Sequence, residues 1–270
     1  MHPNTKTVAI QTSLYTFRNK LGNVRGIKFG NLPDYYVGLL GGATREQILN
    51  DPNFVRTREN MSEFGAASEA NRYYRIGVAS FGNYMESYFS GYLNSITLKV
   101  LQLGTGPRGE RNLVFSTNQP YFEQTNLNRN LTFGSVVGCP VIMSTNIGRN
   151  QATAFIAAFD PLLLLNPPAG ATHFQFVLNA TAMSDWAFIN PTGYAPTNLI
   201  ANGVNQTTNG TILPLNVTPP NITIVAALPG SPGMGGATLF TTIGIQFYQQ
   251  INLINYALFE GNTAKIDLLF

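Results

Sequence analysis

Apolar residues recur along this chain with two different periods, and the change falls near Gly109. Upstream, Met85, Tyr88, Phe89, Tyr92, Ile96 and Val100 return every three to four positions, the spacing of one helical face, and Gly104 ends the run. This predicts a helix over 84–103. Two earlier helical starts are marked by their ends. Thr44-Arg45-Glu46-Gln47 has the capping-box pattern, in which hydroxyl and amide side chains satisfy each other's backbone N–H groups. Asp51-Pro52 restarts the chain, with Asp51 as cap, Pro52 in the first helical position, and Phe54, Met61 and Phe64 as an apolar stripe. Before these, 8–17 is strand-like. Gly22-Asn23 sits between 16–21 and 24–29, where a hairpin turn belongs.

Downstream the period is that of strands, predicted over 112–116, 131–137, 140–144, 152–159, 172–181, 211–215, 222–227, 238–249, 251–258 and 265–270. Phe174, Phe176, Leu178 and Ala180 alternate with His173, Gln175, Asn179 and Thr181, and Val177 breaks the alternation. Asn166-Pro-Pro-Ala-Gly170, Asn190-Pro-Thr-Gly193, Pro219-Pro220 and the glycine-rich run 229–236 separate the segments. The expected fold is α+β and mainly β: a mixed hairpin and helix region over 1–111 with two or three helices, then an antiparallel β-sandwich or jelly-roll-like body over 112–270. One continuous domain is the alternative. No repeat of fixed period is found.

Charge changes the picture more than length does. Residues 1–112 hold 13 Lys and Arg against 8 Asp and Glu, and residues 113–270 hold 3 against 5. From Asn150 to Ala264 there is no lysine or arginine, and Asp160, Asp185 and Glu260 are the only acids. Charged side chains keep molecules apart and blunt exposed strand edges. A strand-rich stretch whose polar surface is Asn, Thr, Gln and Ser therefore has little to keep it from its own copies. Cys139 is the single cysteine, which excludes an intrachain disulfide, and its apolar neighbourhood marks it as a buried small hydrophobe. The longest apolar run, 161–165, is far short of a membrane span, and 1–13 is too polar for a signal peptide. An extracellular assembly or a virion is the expected setting, reached without a leader in this sequence.

Leu21-Gly-Asn-Val-Arg-Gly-Ile-Lys-Phe-Gly30, Phe54-Val-Arg-Thr-Arg-Glu-Asn60 and Phe64-Gly-Ala-Ala67 resemble an uncharacterised family of short proteins frequent in Bacteroidota. There, too, a Gly-Asn-Val hairpin precedes a basic, Phe-containing helix. The resemblance covers 14–80, implies a bacterial or phage-related origin, and brings no activity with it.

Candidate chemistry is sparse. Gly104-Thr-Gly106-Pro-Arg-Gly109 has dinucleotide-fingerprint spacing, but it follows a helix and precedes a strand, the reverse of what a phosphate cradle needs. Histidine chemistry would have to use His2 or His173, and two histidines with one cysteine are too few for a zinc site. Asp160-Pro161 reads as a turn opener. Arg56, Arg58, Arg72 and Arg75, beside Tyr73-Tyr74, form the one candidate polyanion contact, set among Glu59, Glu63 and Glu69 at salt-bridging helical spacing. Leu268, Leu269 and Phe270 form a terminal strand with apolar residues on both faces, either a core strand or a strand shared between subunits.

The expectation is a non-enzymatic, self-assembling structural subunit of a filament, tube or shell, with no cofactor and no metal, whose partners are copies of itself. The alternative is a nucleic-acid or cargo-binding module using the basic first part, with weak binding. A third reading is a carbohydrate-binding β-domain using Trp186 and Tyr194.

Overall fold

A computed structural model describes residues 9–12, 16–22, 24–28, 34–39 and 42–270. His2, Val8, Asn23, Gly41 and parts of the strands expected over 8–17 and 24–29 lie outside the described residues. The chain divides into two compact units, Met1–Thr57 and Arg58–Phe270.

The first unit holds a four-stranded antiparallel sheet of β1 (Ala9–Ile10), β2 (Asn19–Leu21), β3 (Val24–Ile27) and β4 (Tyr36–Leu39), in the order β1-β4-β3-β2. β2 and β3 are the expected hairpin, and Gly22 takes the left-handed φ of 59° that its turn requires. The capping box of α1 (Arg45–Asn50) is formed in both halves: Gln47 N–H donates to Thr44 Oγ1 at 3.2 Å, and Thr44 N–H to Gln47 Oε1 at 2.8 Å. Asp51 Oδ1 then accepts from Asn53 N–H at 2.8 Å over a 3-10 turn, Pro52–Phe54.

From the end of that turn the elements are α2 (Val55–Gly77), a 3-10 segment (Ala79–Tyr84), α3 (Phe89–Leu103), α4 (Phe133–Val136), β5 (Ile142–Thr145), β6 (Gln151–Ile156) and α5 (Pro161–Leu164). There follow β7 (His173–Ser184), β8 (Trp186–Ile189), β9 (Gly193–Pro196), β10 (Asn205–Asn209), β11 (Leu213–Pro214), β12 (Ile222–Ala227), β13 (Ala237–Ile251), β14 (Ile254–Ala257) and β15 (Thr263–Leu269). Among the described residues strand exceeds helix, 34% to 26%, and the sheets are antiparallel.

The second unit is layered. Its main sheet runs β10-β7-β13-β14, with β11 beside β7 and β15 beside β13; a smaller sheet runs β12-β6-β5. Phe174, Phe176, Leu178, Ile243, Ile245 and Phe247 turn one face of the main sheet toward Ala152, Ala154, Ile156, Ile224 and Ala226 of the smaller one. That is the expected sandwich. The opposite face carries Val177, Met183, Phe240, Ala264 and Ile266 against Tyr74, Phe81, Phe89, Leu93 and Val100 of the helical layer. The boundary expected near residue 111 therefore lies inside this unit, because α2 and α3 are built onto the sheet.

Val177 departs from alternation because β7 is buried on both faces. Polar residues on the helix face find partners there. Tyr74 Oη lies 2.7 Å from Thr242 Oγ1, Tyr84 O–H donates to Gln246 Oε1 at 2.8 Å, and Asn179 Nδ2 donates to the Gly77 carbonyl at 2.9 Å. The helices come close enough that side chains are excluded at two glycines. A Cβ on Gly77 would strike Thr181, and one on Gly244 would stand 2.6 Å from the Phe81 ring.

Four expectations are corrected. The stripe of Met61 and Phe64 is more than half exposed, and α2 buries Ala66, Ala67, Ala70, Asn71, Tyr74 and Gly77 instead, since close approach to the sheet selects small residues. The helix expected over 84–103 begins at Phe89, and Tyr84 belongs to the preceding 3-10 segment. Residues 131–137 contain α4 rather than a strand, where Asn126 Oδ1 accepts from Phe133 N–H at 2.7 Å. In 112–116 the only strand-like pairing is a bridge from Leu113 to Trp186.

Candidate assembly surfaces

Several of the candidate side chains make hydrogen bonds within the protein. Glu63 is buried on α2 and takes a bidentate pair from Arg111, Nε to Oε1 and Nη2 to Oε2, both at 2.7 Å. Its Oε1 also accepts from Gly109 N–H at 2.9 Å. The glycine-rich loop after α3 is thus docked on a carboxylate of the protein itself. Helical spacing alone had suggested partners for Glu63 on its own helix, and the structure gives it one 48 residues away. Asp160 caps α5 through Leu162 N–H at 2.9 Å. Asp185 accepts from Phe115 N–H at 2.6 Å and from Ser116 O–H at 2.9 Å. His173 stands on β7 with Nδ1 2.9 Å from Thr172 Oγ1. Cys139 is buried, and desolvation pushes its thiol up to about 11, so it is a neutral packing group at ordinary pH. Among the described residues no group of three or more His, Cys, Asp or Glu is placed to hold a metal ion, and no helix is long and apolar enough to cross a membrane.

Of the four candidate arginines, Arg72 and Arg75 share one turn of α2, and Arg58 lies 14 positions earlier than Arg72, about 21 Å along the axis. Arg72 pairs with Glu69 at 3.1 Å and lies over the Tyr73 ring at 5.4 Å. Arg56 belongs to the first unit. The helix does not converge them on one point. Trp186 is buried against Tyr73, with ring centroids 6.1 Å apart, so it offers no open face for a sugar.

The terminal strand is held from both sides. β15 pairs with β13 from Ile245↔Thr263 to Phe240↔Leu269, with an irregularity between Phe240 and Thr242 that Thr241 Oγ1 bridges by donating to the Leu268 carbonyl at 2.7 Å. Leu239 and Phe270 exchange backbone bonds at 2.8 and 3.1 Å, Leu269 is buried, and Leu268 and Phe270 pack against the sandwich core. The outer edge of β15 is covered by the segment around Gln124 to Leu127: Leu127 N–H donates to the Ala264 carbonyl and Ile266 N–H to the Thr125 carbonyl.

Among the described residues, strand edges without a neighbouring strand lie elsewhere, in the stretch without basic residues. β10 ends the main sheet on one side and β14 ends it on the other; β12 ends the smaller sheet. Between β10 and β12 the sandwich mouth opens as a groove of about 510 Å³, lined by Thr208, Gly210, Leu213, Pro220, Ile222 and Ile224 among others, none of them charged. At the opposite side the β13–β14 hairpin turns at Asn252 and Leu253, both with left-handed φ, 52° and 65°. Leu253 is 88% exposed, and Ile251, Ile254 and Tyr256 are 50%, 55% and 52% exposed.

These surfaces were only partly legible. β8, β9 and β10 were missed, β10 because Asn-Gln-Thr-Thr-Asn has no apolar alternation to report. The break expected at Gln250 stands instead at Asn252-Leu253, for which the left-handed tolerance of asparagine was the available signal. No family model, curated protein or solved structure matches this chain.

Proposed function

We propose that this protein is a non-enzymatic structural subunit that assembles with copies of itself into a filament, tube or shell. The observation that carries the reading is the pair of unpaired strand edges, β10 and β14, both without charged residues, at opposite sides of one sheet. Edges of monomeric proteins are commonly blunted by lysine, proline or a covering loop. Here β15 has such a cover, whereas β10 and β14 have no further strand beside them among the described residues. The exposed Ile251, Leu253, Ile254 and Tyr256 supply apolar area that gains by leaving water.

Light scattering after size exclusion, with negative-stain microscopy, tests the reading. Regular polymers are expected at micromolar protein, and they persist at about 1 M salt, where the screening length is about 3 Å, because the contact has no ion pairs to screen. Strictly monomeric protein at low and high salt would overturn it. So would tight nucleic-acid binding that falls steeply with salt and is lost on neutralising Arg56, Arg58, Arg72 and Arg75 together.

A further inference from the structure

We infer that copies join head to tail, with the β13–β14 hairpin of one copy docking on the β10 edge of the next and covering the groove at its sandwich mouth. This rests on the self-assembly proposed above and specifies its contact.

Strand direction supports the pairing. Each neighbouring pair along β10-β7-β13-β14 is antiparallel, so β10 and β14 run in opposite directions. A copy displaced sideways in the plane of the sheet, without being turned over, presents its β14 antiparallel to β10. That is the geometry of a ladder that continues the sheet.

The faces agree as well. The register Ile251↔Ile254 and Gln249↔Tyr256 places Ile251, Ile254 and Tyr256 on one side of the hairpin. It is the side that, farther along β13, sends Ile245 and Phe247 into the core between the sheets. On β10 the same side carries Gln206 and Thr208, opposite Ala180 and Leu178 of β7. Sideways translation keeps that side, so the apolar face of the hairpin arrives at the groove. Neither surface carries a charge, so docking strands no ionised group away from water.

The hairpin tip adds an independent sign. Leu253 holds a left-handed backbone, disfavoured for a residue with a Cβ, while its side chain is almost wholly in solvent. Within one copy neither feature gains anything, and an apolar tip becomes useful once another surface covers it.

β10 pairs with β7 at 177–181, and β14 lies level with the start of that strand, where Tyr248 faces both Ala257 and His173. The two edges are therefore offset by roughly seven residues, on the order of 25 Å along the strands. Each added copy shifts by that stagger, and a heterologous contact that does not close grows as an open helical polymer.

The test uses two doubly substituted full-length proteins, one altered in the hairpin (Ile251→Lys with Ile254→Lys) and one in the edge (Gln206→Lys with Thr208→Lys), like charges chosen so that the two altered surfaces cannot pair with each other. Each alone is expected to raise the critical concentration by roughly a hundredfold, the scale of unpaired charge in an apolar contact. Mixed, they are expected to give a 1:1 dimer that does not grow, because one still has its edge and the other its hairpin. Leu253→Gly relieves the backbone strain, and it is expected to keep or raise the melting temperature while weakening assembly, which separates assembly from folding. Polymers from either double variant like those of the unaltered protein, or a mixture that stays monomeric, would overturn the hairpin-to-edge contact and leave self-assembly standing. A monomeric unaltered protein would remove both.

Discussion

Gly77 shows how one residue sets the distance between layers. It ends α2 directly over β7, its carbonyl accepts from buried Asn179 Nδ2, and the space a methyl group would need is taken by Thr181. Thr181 is itself held by donating to Asn179 Oδ1 at 2.8 Å, so it cannot swing aside freely. Gly77→Ala is expected to destabilise the protein by about 1–3 kcal/mol, the usual cost of overpacking, read as a lower urea midpoint with an unchanged slope. Pairing it with Thr181→Ala should recover part of the loss, since the obstructing atoms are then gone. An undiminished midpoint in Gly77→Ala would show that the helix end shifts without cost. Neither glycine nor threonine announces this contact in the sequence, where they lie more than a hundred positions apart.

Among the elements, β15 has its two rival roles separated by what lies on its edges. β13 bonds one edge and the segment around Gln124 to Leu127 the other, so the strand is paired inside a single copy and has no open ladder to share. Lys265 reinforces the cover by donating to Gln124 Oε1 at 2.7 Å while pairing with Asp267 at 3.1 Å. Deleting 268–270 removes buried Leu269 and the Phe270–Leu239 bonds, and is expected to cost about 2–5 kcal/mol, on the scale of emptying a core leucine site. The check is a melting curve together with oligomer size. A lower melting temperature is the expected result; a fully stable monomer replacing a polymer would show the strand to be shared between copies.

At the scale of the whole molecule, the helical layer rests on tyrosines whose hydroxyls face the main sheet. Burial raises Tyr74 and Tyr84 well above their ordinary value of 10.0. Unfolded chains lose these protons near pH 10 while the folded protein keeps them, so below pH 10 their burial costs nothing in linkage. Stability falls as pH rises beyond it, by up to about 1.4 kcal/mol per pH unit for each tyrosine. The chain has twelve tyrosines, several of them exposed, so a last fraction of the tyrosinate absorbance is expected to appear only together with loss of circular dichroism above pH 10; full tyrosinate absorbance in a still-folded protein would contradict the burial of Tyr74 and Tyr84. Helix ends and long strands were decided locally: Thr44-Arg-Glu-Gln47 and Asp51-Pro52 need only neighbours within a turn, and β12 was readable from its branched residues. So was the absence of basic residues over 150–264, which is a property of composition. Tertiary structure alone decided that Glu63 bonds Arg111, that Val177 faces helices, and that β10 and β14 stand at opposite edges with no further strand beside them among the described residues while β15 is covered. Those outcomes depend on which distant segments pack together, and neither periodicity nor composition along a chain carries that information.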